Sequence, residues 1–166
     1  MPDKATLERA KKDKREGKAP STQAGEFVRE EIEHIREGKH GARSAKQAIA
    51  IGLSKARRAG VDLPPPKKGA TSEQTRRSAA RAYRAGQEGD HTVSPARSRA
   101  TTRALKREGQ AAASKQALSR HAHAAAADKT AADRSAAARK AVKTKGAAER
   151  SVAARKAART RARTSG

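Results

Sequence analysis

Residues 44–66, SAKQAIAIGLSKARRAGVDLPPP, contain the start, the buried face and the end of one helix. Ser44 and Gln47 form an S-x-x-Q capping box, in which side chains bond backbone amides that the first helical turn leaves without partners. Small and aliphatic residues follow at spacings of three and four: Ala45, Ala48, Ile49, Gly52, Leu53 and Ala56. This spacing predicts a helix with one buried face. Gly60 followed by Val61 predicts a Schellman-type end, and three prolines then prevent continuation.

A second amphipathic stretch lies upstream of this helix. Ser21 is placed to cap it, and Gly38 is placed to end it. Its apolar residues also recur at helical spacing: Ala24, Phe27, Val28, Ile32 and Ile35. The two stretches predict a helical hairpin over residues 21–63. Because the hairpin has few large apolar side chains, we expect a marginal unit that gains stability by self-association or by binding a partner.

The hairpin divides the chain into segments of different composition. A basic N-terminal segment, 1–20, precedes the helical head, 21–63, and a Pro-rich linker, 64–70, leads to a basic Ala/Arg/Lys-rich tail, 71–166. Of the 15 Leu, Ile, Val and Phe residues in the 166-residue chain, ten precede Pro64 and five follow the prolines. We therefore expect a mainly α protein, with a small helical hairpin followed by a largely disordered or nascent-helical tail.

Charge is concentrated in the tail. The chain has 40 Lys and Arg and 17 Asp and Glu, a net charge of +23, and residues 67–166 have 25 and 7 of these, a net charge of +18. Such a segment neutralises nucleic-acid phosphates without reading bases. The predicted binding residues are Lys67, Lys68, Arg97, Arg99, Lys115, Arg120, Arg139, Lys140, Lys143, Lys145, Arg150, Arg155, Lys156, Arg159, Arg161 and Arg163.

Double-stranded DNA is the expected partner, bound without sequence specificity by a histone-like, nucleoid-associated protein. Phe27 and Tyr83 are the only Phe, Trp or Tyr residues, so the chain lacks a series of rings on which successive bases could stack. RNA remains an alternative, since arginine-rich segments also bind structured RNA. A second alternative is a protein-interaction adaptor that uses the acidic helix 21–37. Arg43, Lys46 and Gln47 at the start of the second helix leave a helix-turn-helix as a minor possibility.

The sequence indicates no catalytic or metal site. The chain has no cysteine, and His121 and His123 are two residues apart, which places them on different sides of a helix. His34 lies four residues after Glu30 and three before Glu37, a spacing typical of surface pairing. We expect no enzyme activity, no cofactor and no membrane association, and a cytoplasmic, nucleoid location.

Short repeats mark further helix boundaries. Arg-Glu-Gly occurs at 15–17, 36–38 and 107–109, each time followed by a serine that is placed to cap a helix. Residues 133–141, DRSAAARKA, recur as 149–157, ERSVAARKA, with Gly146 between the copies. Ser94 followed by Pro95 predicts a helix cap with a proline at the first helical position. The same pair also resembles the Ser-Pro-basic motifs of linker-histone tails.

Residues 46–65, KQAIAIGLSKARRAGVDLPP, together with Glu37-Gly38-Lys39, resemble a small bacterial protein family of unknown function. This resemblance implies a bacterial source and an all-helical head, and it supplies no activity. The tail is similar in composition to the Ala/Lys/Arg-rich arms of bacterial linker-histone-like proteins.

Overall fold

The computed structural model describes residues 2–89, 94–144 and 146–164, which form helices and no strand. The helices are α1 (Lys4–Arg15), α2 (Pro20–Arg36), α3 (Ala45–Arg58), α4 (Glu73–Glu88), α5 (Pro95–Lys106), α6 (Lys115–Ala127), α7 (Ala131–Thr144) and α8 (Ala147–Thr164). A short 3-10 turn spans Ala111–Ala113. The chain forms two compact units, Met1–His121 and Ala122–Gly166. None of the described helices is both long enough and apolar enough to cross a membrane.

The predicted hairpin of α2 and α3 is confirmed. The Ser44 hydroxyl accepts a hydrogen bond from the Gln47 amide at 3.2 Å. At the other end of α3, Gly60 has φ +82° and the Val61 amide donates to the Ala56 carbonyl at 3.1 Å, which is the Schellman geometry. Gly38 follows α2 with φ +74°.

Two features of the N-terminal region differ from expectation. Ser21 does not cap α2, which instead begins at Pro20 after Ala19. Proline suits the first helical position, because it lacks the amide hydrogen that would be left without a partner there. Residues 4–15, expected only as a basic segment, form α1, which packs against α2.

One core cluster joins the first three helices. Phe27 and Ala24 of α2 are fully buried, and they lie with Ala10 of α1, Ala56 of α3 and Val61. The partly buried Leu7, Leu53, Ala59 and Leu63 pack around them. Helix α1 therefore completes the hydrophobic face that the hairpin alone would leave exposed.

A second core cluster draws on a segment far along the chain. Ile35, Ala42 and Ala48 are buried against Ala112 and Ala113 of the 3-10 turn. The backbones are also paired, because the Gly41 amide donates to the Leu105 carbonyl at 2.9 Å and the Ala42 amide donates to the Gly109 carbonyl at 3.1 Å. Residues 105–113 thus belong to the folded head, although their composition resembles that of the tail.

Helix α4 packs on α3 through small residues. Ala79 and Ala82 are buried, and Gly86 lies so close to the Arg57 carbonyl that a Cβ atom would collide with it. The Tyr83 hydroxyl donates to the Asp62 carboxylate at 2.6 Å, and this bond raises the pKa of Tyr83. The buried Arg57 guanidinium donates to the carbonyls of Leu63 and Pro64 at 3.0 and 3.3 Å, which holds the start of the Pro-rich segment against α3.

The expectation of a largely disordered tail is wrong. Helices α5 to α8 form, although the described side chains of α7 are all exposed and α8 is exposed except at the half-buried Ala157. Alanine and arginine are strong helix formers, and α5, α6 and α7 each begin with a side-chain cap that favours the helix. Ser94 caps α5, as predicted, and Ser114 caps α6. Thr130 and Asp133 form a reciprocal capping box at α7, and the hydrogen bonds from Thr130 lower the pKa of Asp133.

We predict that Gly52→Ala lowers the free energy of unfolding by about 1–3 kcal/mol, because the added Cβ would lie 2.6 Å from Cα of Val28 and push α2 away from α3. The control is Gly25→Ala on α2, where an added Cβ meets no atom within 4 Å. That variant should raise the free energy of unfolding by about 0.5–1 kcal/mol through helix propensity. Urea unfolding of both variants measures the difference, and stabilisation by Gly52→Ala would contradict this packing.

Candidate nucleic-acid interface

The predicted binding residues lie on five parts of the fold. Lys67 and Lys68 lie between α3 and α4, and the others are distributed over α5, α6, α7 and α8. Every one whose side chain is described is exposed. Lys143 lies on α7, and Lys145 lies outside the described residues. The structure therefore places the described side chains in solvent, where phosphates can reach them, on separate helices.

Helix α5 presents a stretch of cations without acidic residues. Arg97, Arg99 and Arg103 are exposed, and none has an acidic partner in the part of the chain that the structure describes. Lys106 and Arg107 extend the stretch to the end of the helix. The prediction from sequence included Arg97 and Arg99 and omitted Arg103, Lys106 and Arg107. The sequence alone shows that no acidic residue lies between these cations.

Helix α8 has the most regular series of cations. Arg155, Arg159 and Arg163 are spaced by four, which places them on one face at steps of about 6 Å along the axis. All three are exposed and have no acidic partner among the described residues. Such a row can contact successive phosphates without entering a groove.

The cations of the head are arranged differently, because many are paired with carboxylates. Arg9 lies 2.6 Å and Arg29 lies 3.0 Å from the Glu26 carboxylate. Lys18 lies 2.7 Å from Asp13 and 2.8 Å from Glu16, and these contacts raise the pKa of Lys18 and lower that of Glu16. On α4, Arg76 and Arg77 bond Glu73, which lowers the pKa of Glu73. Pairing of this kind reduces the charge that the head offers to a polyanion.

A buried ionic cluster lies between α2 and α3. Glu30 and Glu31 are 2% and 0% exposed. The Lys55 ammonium lies 2.6 Å from one Glu31 oxygen and 3.4 Å from one Glu30 oxygen. The second Glu30 oxygen accepts a hydrogen bond from the Asp3 amide at 3.1 Å. Because burying an unpaired charge is costly, Lys55 is required to compensate the two carboxylates.

The two histidines near this cluster were not anticipated as neighbours. His34 pairs with a carboxylate as expected, but the partner is Asp3, 3.3 Å from its Nε2, rather than Glu30 or Glu37, and its side chain is only 13% exposed. His40 lies 3.3 Å from Glu31. Glu31, His34 and His40 each place one potential metal-ligand atom within 4.8 Å of the others. The loop after Gly38 brings His40 back to α2, and sequence spacing alone does not reveal this approach.

The aromatic and acidic residues are relevant to the three alternatives: RNA binding, a protein-interaction adaptor and a helix-turn-helix. Phe27 is buried, and Tyr83 is partly buried with its hydroxyl bonded to Asp62, so these two rings do not form a series on which successive bases could stack. On the acidic helix 21–37, Glu30 and Glu31 are buried and Glu26 is paired with arginines, which removes much of the surface that an adaptor would use. Gln47, a candidate base-reading residue, accepts a hydrogen bond from the Arg43 amide at 2.8 Å.

These features define an all-helical protein with an ion-paired head and exposed basic helices. Residues 11–68 match the model of DUF6496, a family of unknown function, which confirms the resemblance to a small family of this kind. The matched segment includes the last five residues of α1, all of α2 and α3, and the three prolines, and it ends before α4. No curated protein and no solved structure matches the chain.

We predict that Lys55→Met lowers the free energy of unfolding by about 3–5 kcal/mol, because it leaves Glu30 and Glu31 buried without a compensating ammonium. The control is Lys46→Met on the same helix, where the side chain is exposed. Its effect should stay within about 0.5 kcal/mol. Chemical denaturation at pH 7 compares the two variants, and equal stability would show that the cluster does not support the head.

Proposed function

We propose that this protein binds double-stranded DNA without sequence specificity and acts as a histone-like component of the nucleoid. The observation that carries the proposal is that Arg97, Arg99 and Arg103 of α5 and Arg155, Arg159 and Arg163 of α8 are exposed and have no acidic partner among the described residues. These cations keep their full charge for phosphates, and release of condensed counterions from DNA supplies the binding free energy.

The distribution of pairing supports a division of roles between the head and the basic helices. Residues 1–66 have 15 cationic and 10 acidic residues, many of them paired with each other, whereas residues 67–166 have 18 more cationic than acidic residues even though Arg76 and Arg77 of α4 pair with Glu73. In this proposal the head folds and positions the chain, and the basic helices provide most of the affinity. Each of the two compact units has its own basic helix, α5 in one and α8 in the other.

The absence of sequence specificity rests on the residue types. Lysine and arginine on exposed helices contact the phosphate backbone, whereas base readout needs a rigid element whose side chains reach base edges. Arg43 and Lys46 are exposed at the start of α3, but the preceding segment, Gly41 and Ala42, is paired with residues 105–109. This pairing covers the segment beside the N-terminal end of α3, the end that a helix-turn-helix protein would place in the major groove.

Self-association of the head was expected because the hairpin alone had a small core. Helix α1, helix α4 and the 3-10 turn cover its apolar faces, and the large hydrophobic residues that stay exposed among the described residues are Val142 and Val152. The proposal therefore needs no dimer, and one chain suffices for binding.

We predict that the triple variant Arg155→Gln, Arg159→Gln and Arg163→Gln weakens binding to a random duplex about tenfold or more at moderate salt. It removes three cations that phosphates can contact directly, and the log–log salt slope should become shallower by about 2.7, at 0.9 per phosphate. Fluorescence anisotropy of a labelled duplex at several salt concentrations measures both quantities.

The matched control removes the same charge from paired positions: Lys12→Gln, Arg29→Gln and Lys39→Gln. These cations lie 3.9, 3.0 and 3.0 Å from Glu16, Glu26 and Glu37. We expect less than a threefold loss of affinity, because these pairs already offset their charge. Equal losses in the two triple variants would mean that net charge alone decides binding. Tighter binding of a structured RNA than of duplex DNA of equal length would favour the RNA alternative.

A further inference from the structure

Glu31, His34 and His40 form a side-chain group that the proposed DNA binding does not use. Glu31 and His34 are three residues apart on α2, so both side chains lie on one face of the helix. His40 reaches the same place from the loop, and the two imidazole rings lie 6.2 Å apart, nearly perpendicular to each other. Two histidines and a carboxylate form one of the ligand sets that bind zinc in proteins.

The hydrogen bond of His40 fixes the role of its two ring nitrogens. Nδ1 lies 3.1 Å from the Gly41 carbonyl oxygen, which accepts hydrogen bonds only, so Nδ1 carries the hydrogen. In the neutral ring, Nε2 then presents a lone pair, and it lies 3.3 Å from a Glu31 carboxylate oxygen. Two acceptors that face each other at this distance repel unless a proton or a metal ion lies between them. A histidine that ligates a metal typically donates its other N–H to a backbone carbonyl in this way.

Glu31 is the second indication of a bound cation. Its carboxylate is fully buried, and its Oε1 has no hydrogen-bond partner among the described residues. Lys55 approaches Oε2 as an ion pair at 2.6 Å, and Oε1 is the oxygen that faces His40. Oε1 is therefore positioned to bind a metal as a single ligand atom while Lys55 holds the other oxygen.

The charge of the surroundings favours a divalent ion. Asp3, Glu30 and Glu31 meet here with one compensating ammonium, that of Lys55, so two negative charges remain when the histidines are neutral. Lys39, the next cation along the loop, is paired with Glu37 at 3.0 Å, and this pair adds no net charge. An ion of charge +2 would balance the group.

We propose that Glu31 Oε1, His40 Nε2 and His34 bind a zinc ion that fastens the α2–α3 loop to α2. Ligand atoms about 2.0–2.2 Å from a tetrahedral zinc lie about 3.4 Å from one another. The 3.3 Å between His40 and Glu31 already matches this spacing. The histidines are 13% and 14% exposed, so the site opens to solvent, from which a water molecule supplies the fourth ligand.

The test uses the full chain without an affinity tag, after treatment with a chelator and dialysis. We expect one zinc ion to bind per chain by isothermal titration calorimetry at pH 7.5. Zinc at a hundredfold excess over its dissociation constant should raise the melting temperature by roughly 5–10 °C. Cobalt(II), which takes the same ligands, should produce the visible absorption of a tetrahedral complex.

The variants His34→Gln and His40→Gln should each lose zinc binding by at least tenfold, whereas the control His121→Gln with His123→Gln should bind as the parent chain does. If a histidine variant does not fold, the melting temperatures of the parent chain in zinc and in chelator still test whether zinc binds. Equal melting temperatures in zinc and chelator, no tetrahedral cobalt spectrum, or zinc binding that survives both single variants would each overturn the proposal. DNA binding by the parent chain is a separate measurement, so failure of the zinc site leaves the proposed function unaffected.

Discussion

The Lys55 ammonium lies between two glutamates that α2 buries against α3, and the rest of the head depends on this contact. Without it, α2 would bring two bare carboxylates into a region of low dielectric, a cost that the small alanine-rich core could not offset. With it, α2 and α3 approach closely enough for Gly52 to contact the backbone of Val28. The same cluster reaches the N-terminus, because the Asp3 amide donates to Glu30.

This arrangement separates two uses of charge in one strongly basic chain. In the head, cations and carboxylates are paired and partly buried, so they contribute to folding. On α5, Arg97, Arg99 and Arg103, and on α8, Arg155, Arg159 and Arg163, are exposed and have no acidic partner in the described residues, so they remain available for an external polyanion. The proposed function rests on this contrast in pairing, and net charge alone would not reveal it.

Much of the head follows from local sequence signals, and the rest does not. The capping box at Ser44 and the end at Gly60 and Val61 define α3 correctly, because they depend on contacts within one turn. Helix α1 was missed because its apolar residues are few and its partner surface lies on α2 and α3.

The docking of residues 105–113 could not be predicted, since the pairing of Gly41 with Leu105 joins positions far apart in the chain. The tail was expected to be largely disordered or nascent-helical because it lacks a core, but its helices form from alanine propensity and caps such as Thr130 with Asp133. The composition of the tail was enough to predict exposed arginines. The group of Glu31, His34 and His40 could not be predicted, because it forms only when the loop after α2 brings His40 back to that helix.

The most direct test of the account is the salt dependence of duplex binding by the full chain, measured on two duplexes of equal length and unrelated sequence. If the basic helices neutralise about eight phosphates, the logarithm of the association constant should fall with the logarithm of salt concentration at a slope of about −7. The two duplexes should give the same slope and nearly the same affinity. A slope shallower than about −2, or an affinity for one duplex more than about a hundredfold greater than for the other, would contradict binding through exposed, unpaired cations.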